Sequence, residues 1–327
     1  MREISYSEAV REALSEEMRR DPMVFLMGED VGAFGGVWGV SAGMFDEFGP
    51  ERVLDTPISE IGIIGAGLGA AMMGMRPVVE IMFADFLMCA GDQLVNQVAK
   101  ARYMSGGKAN VPLTIRATSG APGSAAAQHS QSAESWFMNI PGIKIVVPAT
   151  PADAKGLLKS AIRGEDPVLM FEHKMLYAKT GPVPDDADFC VPLGQAVVRR
   201  EGTDATVIAI GSMVDKAMQA AEKLADAGVS VEVVDPRTLI PLDKTTLIES
   251  VAKTGHVIIA HEAHKRAGPG AEIAAMLAEE AVEYLDGPIV RVGAKNVPLP
   301  YNPMLENYVL PDTEDIITAV RFLRGES

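Results

Sequence analysis

Short apolar runs alternate along the chain with stretches whose apolar positions recur at helical spacing. In the first half the runs Val24-Phe25-Leu26-Met27, Pro77 to Met82, Pro112 to Arg116, Lys144 to Val147 and Pro167 to Phe171 read as strands. Helical spacing covers Ser7 to Arg20, the stretch that starts at Glu60, Asp85 to about Tyr103, and Pro151 to about Arg163. The second half repeats the alternation with strands at Ala205 to Ile210, Val231 to Val234, Val257 to Ala260 and Ile289 to Val292. Helices are expected between them, near Val214 to Ala227, Lys244 to Lys253 and Ala271 to Leu285. Strand and helix in alternation predict mainly parallel sheets covered on both faces. The fold class is therefore α/β, with two three-layer α/β/α domains. The proline- and aspartate-rich stretch from Thr180 to Asp188 reads as the joint. The expected division is 1–180, a linker over 181–190, and 191–327. Sheets of this kind bind ligands at the carboxyl ends of their strands.

Composition narrows the class. A chain of 327 residues with 48% hydrophobic positions can bury two cores. Its formal charge of −15, from 44 acids against 29 bases, argues against nucleic acid or an anionic membrane as the main partner. The two cysteines, Cys89 and Cys190, have no metal or redox spacing and suit a reduced, cytoplasmic compartment. No secretory signal opens the sequence. The apolar run from Ile61 to Met75 is too short and too glycine-rich for a membrane helix, which needs about 20 residues.

Candidate chemistry starts at Glu60, which leads the glycine-rich helix Ile61-Gly62-Ile63-Ile64-Gly65-Ala66-Gly67-Leu68-Gly69 with no basic residue before Arg76. One reading buries this carboxylate and tunes it for proton exchange. The other leaves it at the surface, complementing the helix dipole. Gly65, Gly67 and Gly69 resemble a dinucleotide fingerprint, but the third glycine comes one residue early and no strand leads in, so close helix packing explains them better. His261-Glu262-Ala263-His264 has its histidines three apart rather than four and follows a strand, which argues against a zinc-protease helix. Among the five histidines, only His129 sits in a loop of small and amide residues, Gly123 to Gln131. Such a loop lets backbone approach a ligand and presents one titratable imidazole; the alternative is a histidine that merely satisfies loop carbonyls.

Taken together, Asp55-Thr56-Pro57-Ile58-Ser59-Glu60, Met82-Phe83-Ala84-Asp85-Phe86, Tyr103-Met104-Ser105-Gly106-Gly107 and Ala127-Gln128-His129-Ser130-Gln131 resemble the β subunit of thiamine-diphosphate-dependent 2-oxo acid dehydrogenases along essentially the whole chain. The resemblance implies a transketolase-like pyrimidine-binding domain followed by a transketolase C-terminal-type assembly domain. It implies that Glu60 hydrogen-bonds the cofactor's pyrimidine ring nitrogen and shares a proton with it, and that Phe86 lies beside the pyrimidine. It further implies that His129 helps transfer the acyl group to a lipoyl arm. A potassium ion is implied on backbone oxygens at Leu113, Ala161, Ile162, Gly164 and Asp166.

An absence completes this expectation. Thiamine diphosphate enzymes hold magnesium and diphosphate with a Gly-Asp-Gly motif, and this chain has Gly91-Asp92-Gln93. On the resemblance, an α subunit supplies that half, two α and two β chains assemble, and a lipoyl-bearing acyltransferase receives the product. The substrate is a 2-oxo acid, pyruvate first, or acetoin. Rival readings are a split transketolase or deoxyxylulose phosphate synthase half, which would pass its two-carbon unit to an aldehyde, and a non-catalytic assembly subunit.

Overall fold

Ser5 starts the first helix by a reciprocal cap: its hydroxyl accepts from the Glu8 N–H while the Glu8 side chain accepts from the Ser5 N–H. The computed structural model describes residues 1–326. In chain order its elements are β1 (Arg2–Ser5), α1 (Tyr6–Arg20), β2 (Val24–Gly28), α2 (Met44–Phe48), β3 (Val53–Asp55), α3 (Glu60–Met72), β4 (Arg76–Ile81), α4 (Ala101–Met104), β5 (Thr114–Ser119), α5 (Glu134–Met138), β6 (Lys144–Val146), α6 (Pro151–Arg163), β7 (Val168–His173) and β8 (Thr180–Val183). There follow β9 (Val197–Arg200), β10 (Ala205–Ala209), α7 (Met213–Asp226), β11 (Val231–Asp235), β12 (Thr238–Ile240), α8 (Lys244–Thr254), β13 (Val257–His264), α9 (Pro269–Glu280), β14 (Val290–Ala294), α10 (Pro303–Val309) and α11 (Thr313–Leu323).

Contacts divide these into two units. The first comprises Met1–Ser119 and Trp136–Leu193; the second comprises Gly120–Ser135 and the chain from Gly194 onward. In the first unit six strands run parallel in the order β6-β7-β5-β4-β2-β3. Their inner residues, among them Leu26, Val78, Val146 and Met170, form one buried core with α1 and α6. Those helices are also tied by charge, since Lys155 is fully buried and reaches Glu12 and Glu16 at 2.7 and 2.9 Å. Helix α3 lies close against the sheet through Gly67, where a Cβ would stand 2.8 Å from Val79 Cγ1 and 3.1 Å from a Leu113 methyl. Close packing is thus what Gly67 provides. In the second unit β14, β13, β10 and β11 run parallel, and β9 pairs antiparallel at the edge.

Four features differ from the sequence reading. The expected helix over Asp85 to Tyr103 is a 3-10 turn at Ala84–Ala90, a π-helix at Gln93–Val98 and the short α4. Its apolar period is still satisfied, because Leu87, Ala90, Leu94 and Val98 are all buried, but spacing alone does not fix the number of residues per turn. The linker over 181–190 is partly strand: β8 pairs antiparallel with β1, Ile4 opposite Gly181. Proline and glycine there mark an edge ribbon rather than a free joint. His261-Glu262-Ala263-His264 lies within β13 rather than after a strand. Finally, Gly120–Ser135 belongs by contact to the second unit, although its chain position falls inside 1–180. Among the described residues no helix is long and apolar enough to cross a membrane.

Candidate active site

Parallel strands deliver their carboxyl ends to one edge of the first unit, and the candidate residues of that unit follow those ends. Glu29 comes directly after β2, Glu60 follows β3 as the first residue of α3, and Phe83 and Phe86 follow β4. Glu60 is half-exposed rather than buried as one reading expected, because its apolar flanks are open: Ile58 is 81% and Ile61 47% exposed. No side chain caps the first turn of α3. Beside Glu60 stands a second acid that the sequence reading missed. Partial burial, then the negative charges of Glu60 and Asp30, push the Glu29 carboxyl up from its ordinary value. Glu29 is therefore more readily protonated than a free glutamate would be. An acid one residue past a strand carries no periodic signal, which is why it went unnoticed.

Phe86 is tied to the interior by a series of rings. It meets Phe83 edge-on at 5.9 Å, Phe83 meets Trp38 edge-on at 6.2 Å, and Trp38 stacks on Tyr177 at 5.6 Å and 22°. The indole Nε1 of Trp38 is buried with no hydrogen-bond partner.

Tyr177 leads into a buried ionic network that sequence reading also missed. Arg116 on β5 is fully buried between its neighbouring strands. It donates from Nε and Nη2 to Glu172 on β7 at 2.6 and 2.7 Å, and from Nη1 to Glu80 on β4 at 2.6 Å. The Tyr177 hydroxyl donates to Glu172 at 2.9 Å and lies 3.0 Å from the Thr118 hydroxyl. Burial opposes the Arg116 charge, but Glu172 and Glu80 outweigh it and hold the guanidinium protonated. Burial pushes Glu80 up against the pull of Arg116. For Tyr177, burial and then the charge of Glu172 raise the hydroxyl well above its ordinary range, so it stays a donor. An Arg in a central strand is the one local signal for this network, since its partners lie 36 and 56 residues away.

The five residues of the implied cation site gather where α6 ends beside the start of the central strands. The Ile162 and Gly164 carbonyls accept from Arg76 Nη1 at 3.0 and 2.8 Å. The Leu113 carbonyl accepts from the Val168 N–H and the Ala161 carbonyl from the Gly164 N–H. Each carbonyl has a second lone pair, but the Arg76 guanidinium already puts a positive charge on two of them, so a monovalent cation would be held chiefly by the Leu113, Ala161 and Asp166 oxygens. The Asp166 carboxylate pairs with Lys144 at 3.0 Å and with Arg102, leaving its backbone oxygen for that role. Gly91-Asp92-Gln93 lies where the 3-10 turn passes into the π-helix, and Asp92 accepts from the Asn96 amide at 2.7 Å. Among the described residues no cluster of His, Cys, Asp and Glu could hold a metal ion.

His129 belongs to the second unit and is half-exposed in its loop. Comparison with known proteins accounts for both units. Residues 2–180 match the family model for the transketolase pyrimidine binding domain and residues 194–316 the one for the transketolase C-terminal domain. The chain is 47% identical to the acetoin:2,6-dichlorophenolindophenol oxidoreductase subunit beta of Bacillus subtilis, over 99% of this chain and 98% of that one. It is 48% identical to the 2-oxoisovalerate dehydrogenase subunit beta of the same bacterium, over 98% of each. To the mitochondrial pyruvate dehydrogenase E1 component subunit beta-1 of Oryza sativa it is 45% identical, over 98% of this chain and 86% of that one. A solved structure described as a split gene transketolase, inactive beta4 tetramer, superposes with a TM-score of 0.79 at 26% identity, over 98% of each chain.

Proposed function

Because this chain belongs to the transketolase-like β subunits of the 2-oxo acid dehydrogenases, we propose that it is the pyrimidine-binding and acyl-transferring half of a thiamine-diphosphate-dependent enzyme. The observation that carries this reading is Glu60, heading a helix packed on the sheet through Gly67, with Glu29 beside it and open apolar flanks at Ile58 and Ile61. Thiamine diphosphate, when bound, supplies the electron sink for breaking the carbon–carbon bond next to a keto group. Glu60 is the residue to hydrogen-bond the pyrimidine nitrogen and hold a proton there. Phe86, backed by Phe83 and Trp38, is the apolar surface beside the ring.

Gly91-Asp92-Gln93 stands where the resemblance would need Gly-Asp-Gly, so we assign Mg2+ and the diphosphate to an α subunit that covers the face around Ile58 and Ile61 in an assembly of two α and two β chains. His129 is assigned to passing the acyl group to the lipoyl arm of an acyltransferase. Potassium on the oxygens of Leu113, Ala161, Ile162, Gly164 and Asp166 is assigned a structural role. The substrate is a small 2-oxo acid, pyruvate first, or acetoin. The reading places the complex in a reducing cytoplasm, in keeping with the two unpaired cysteines, Cys89 and Cys190. The split-transketolase alternative is disfavoured by 26% identity to that structure against 45–48% to the dehydrogenase subunits.

Calorimetry tests the assignment. Thiamine diphosphate with Mg2+ is expected to bind tightly only when this chain is joined to its α subunit. Micromolar binding by this chain alone would overturn the shared site.

A further inference from the structure

The loop that carries His129 is held from inside the second unit by two buried carboxylates. Glu262, 7% exposed at the end of β13, accepts from the Ala121 N–H at 2.6 Å. Glu306, 1% exposed on α10, accepts from the Gly123 and Ser124 N–H groups through Oε2 at 3.2 and 3.1 Å. Its other oxygen, Oε1, is buried with no hydrogen-bond partner. Burying a carboxylate with one oxygen unsatisfied is costly, and that cost is offset by the two backbone N–H groups its other oxygen holds.

What the carboxylates hold is strained. Ser124 and Ala126 are non-glycine residues at φ 52° and 59°, in the left-handed region. Such residues persist only where their surroundings impose them. Glu306 grips the first of the two directly, five residues before His129. An ionised acceptor binds backbone N–H groups about twice as strongly as a neutral one, which is what a strained turn requires.

We propose that Glu306 and Glu262 are positioning residues: they fix the turn at 121–126 and through it the place where His129 presents its imidazole. The inference rests on the assignment of His129 to acyl transfer. Cleavage chemistry centred on Glu60 does not depend on this turn, whereas transfer to the lipoyl arm does.

The experiment uses the complex reconstituted with its α subunit, assayed two ways. A dye serves as artificial electron acceptor in one assay, and a lipoyl domain accepts the acyl group in the other. Glu306→Gln keeps shape and acceptor oxygen but removes the charge. It is expected to lower the lipoyl-linked rate about tenfold or more while the dye-linked rate stays within about twofold, as losing a charge-assisted grip on a strained turn would. Amide exchange at Gly123 and Ser124 should quicken alongside.

Should Glu306→Gln fail to assemble, Glu262→Gln carries the same test through Ala121. His129→Ala, run in parallel, separates the role of His129 from that of the two glutamates. If His129→Ala lowers the lipoyl-to-dye ratio and neither glutamate variant does, the positioning role is refuted and the reading of His129 stands. If His129→Ala leaves that ratio unchanged, the reading of His129 falls and the inference with it.

Discussion

Glu172→Gln is the sharpest test of how the first unit is held together beneath its site. Glu172 takes two of the three hydrogen bonds from Arg116 and a third from Tyr177. Glutamine retains the shape but not the charge, and its amide must turn a donor toward either the guanidinium or the Tyr177 hydroxyl. Breaking a buried ion pair by removing one partner costs about 3–5 kcal/mol. That is a large share of the roughly 5–15 kcal/mol that stabilises a whole domain. For a unit of this size each kcal/mol lowers the melting temperature by about 2–4 °C, so a fall on the order of 10 °C is expected. Scanning calorimetry reads it, with Glu165→Gln as control. Glu165 pairs with Arg76 at the surface, where such pairs are worth about 0–1 kcal/mol. Replacing Arg116, Glu80 and Glu172 together by Met, Leu and Leu should recover most of the loss, since no buried charge is then left without a partner. If Glu172→Gln melts within about 2 °C of the unaltered chain, the buried network does not hold the first unit together.

Glu60→Gln, which cannot share an ionisable proton, should cost about 10²- to 10⁴-fold in turnover of the assembled complex while the melting curve is unchanged; near-normal turnover would return Glu60 to a structural role. His261 is buried and held neutral, its pKa lowered from 6.5 to about 4 chiefly by burial. Between those values the unfolded chain takes up a proton that the folded one refuses, so the second unit should lose up to about 3 kcal/mol as pH falls from 6.5 to 4. His261→Gln should flatten that slope in urea melts across the range, and an unchanged slope would assign it to other groups. Exchanging potassium for choline should lower the melting temperature of the first unit if the oxygens around Arg76 hold the ion; a melt indifferent to potassium removes the site.

How much of this was legible depends on whether a feature is local. Helix α6 was readable to within about a residue, because Pro151 opens it and its apolar positions keep one period, and the structure adds the cap at Thr150. Glu60, Phe86 and His129 were legible as residues in motifs, but their settings were not. Exposure of Glu60 depends on what covers Ile58 and Ile61, and the grouping of His129 with the second unit depends on Glu262 and Glu306, which lie far along the chain. The pairing of β8 with β1 joins residues at opposite ends of the first unit, so composition alone read that stretch as a joint. Glu29 and the Arg116 network share this property: Glu29 faces Glu60 at the start of α3, and Arg116 is held by acids on the strands either side of it, which no short window along the sequence contains.

Trp38 has a further consequence, for observation. The chain holds two tryptophans, and the other, Trp136, is 38% exposed. Trp38 stacks on Tyr177, touches Phe83 and keeps its Nε1 away from solvent, which makes it a built-in optical sensor for the ring that leads to Phe86. Its emission is expected to respond to changes in the rings it touches, Phe83 and Tyr177. With Trp136 replaced by Phe, arrival of a cofactor at this edge should be visible as a change of colour and intensity from this chain's single remaining indole, with no label attached.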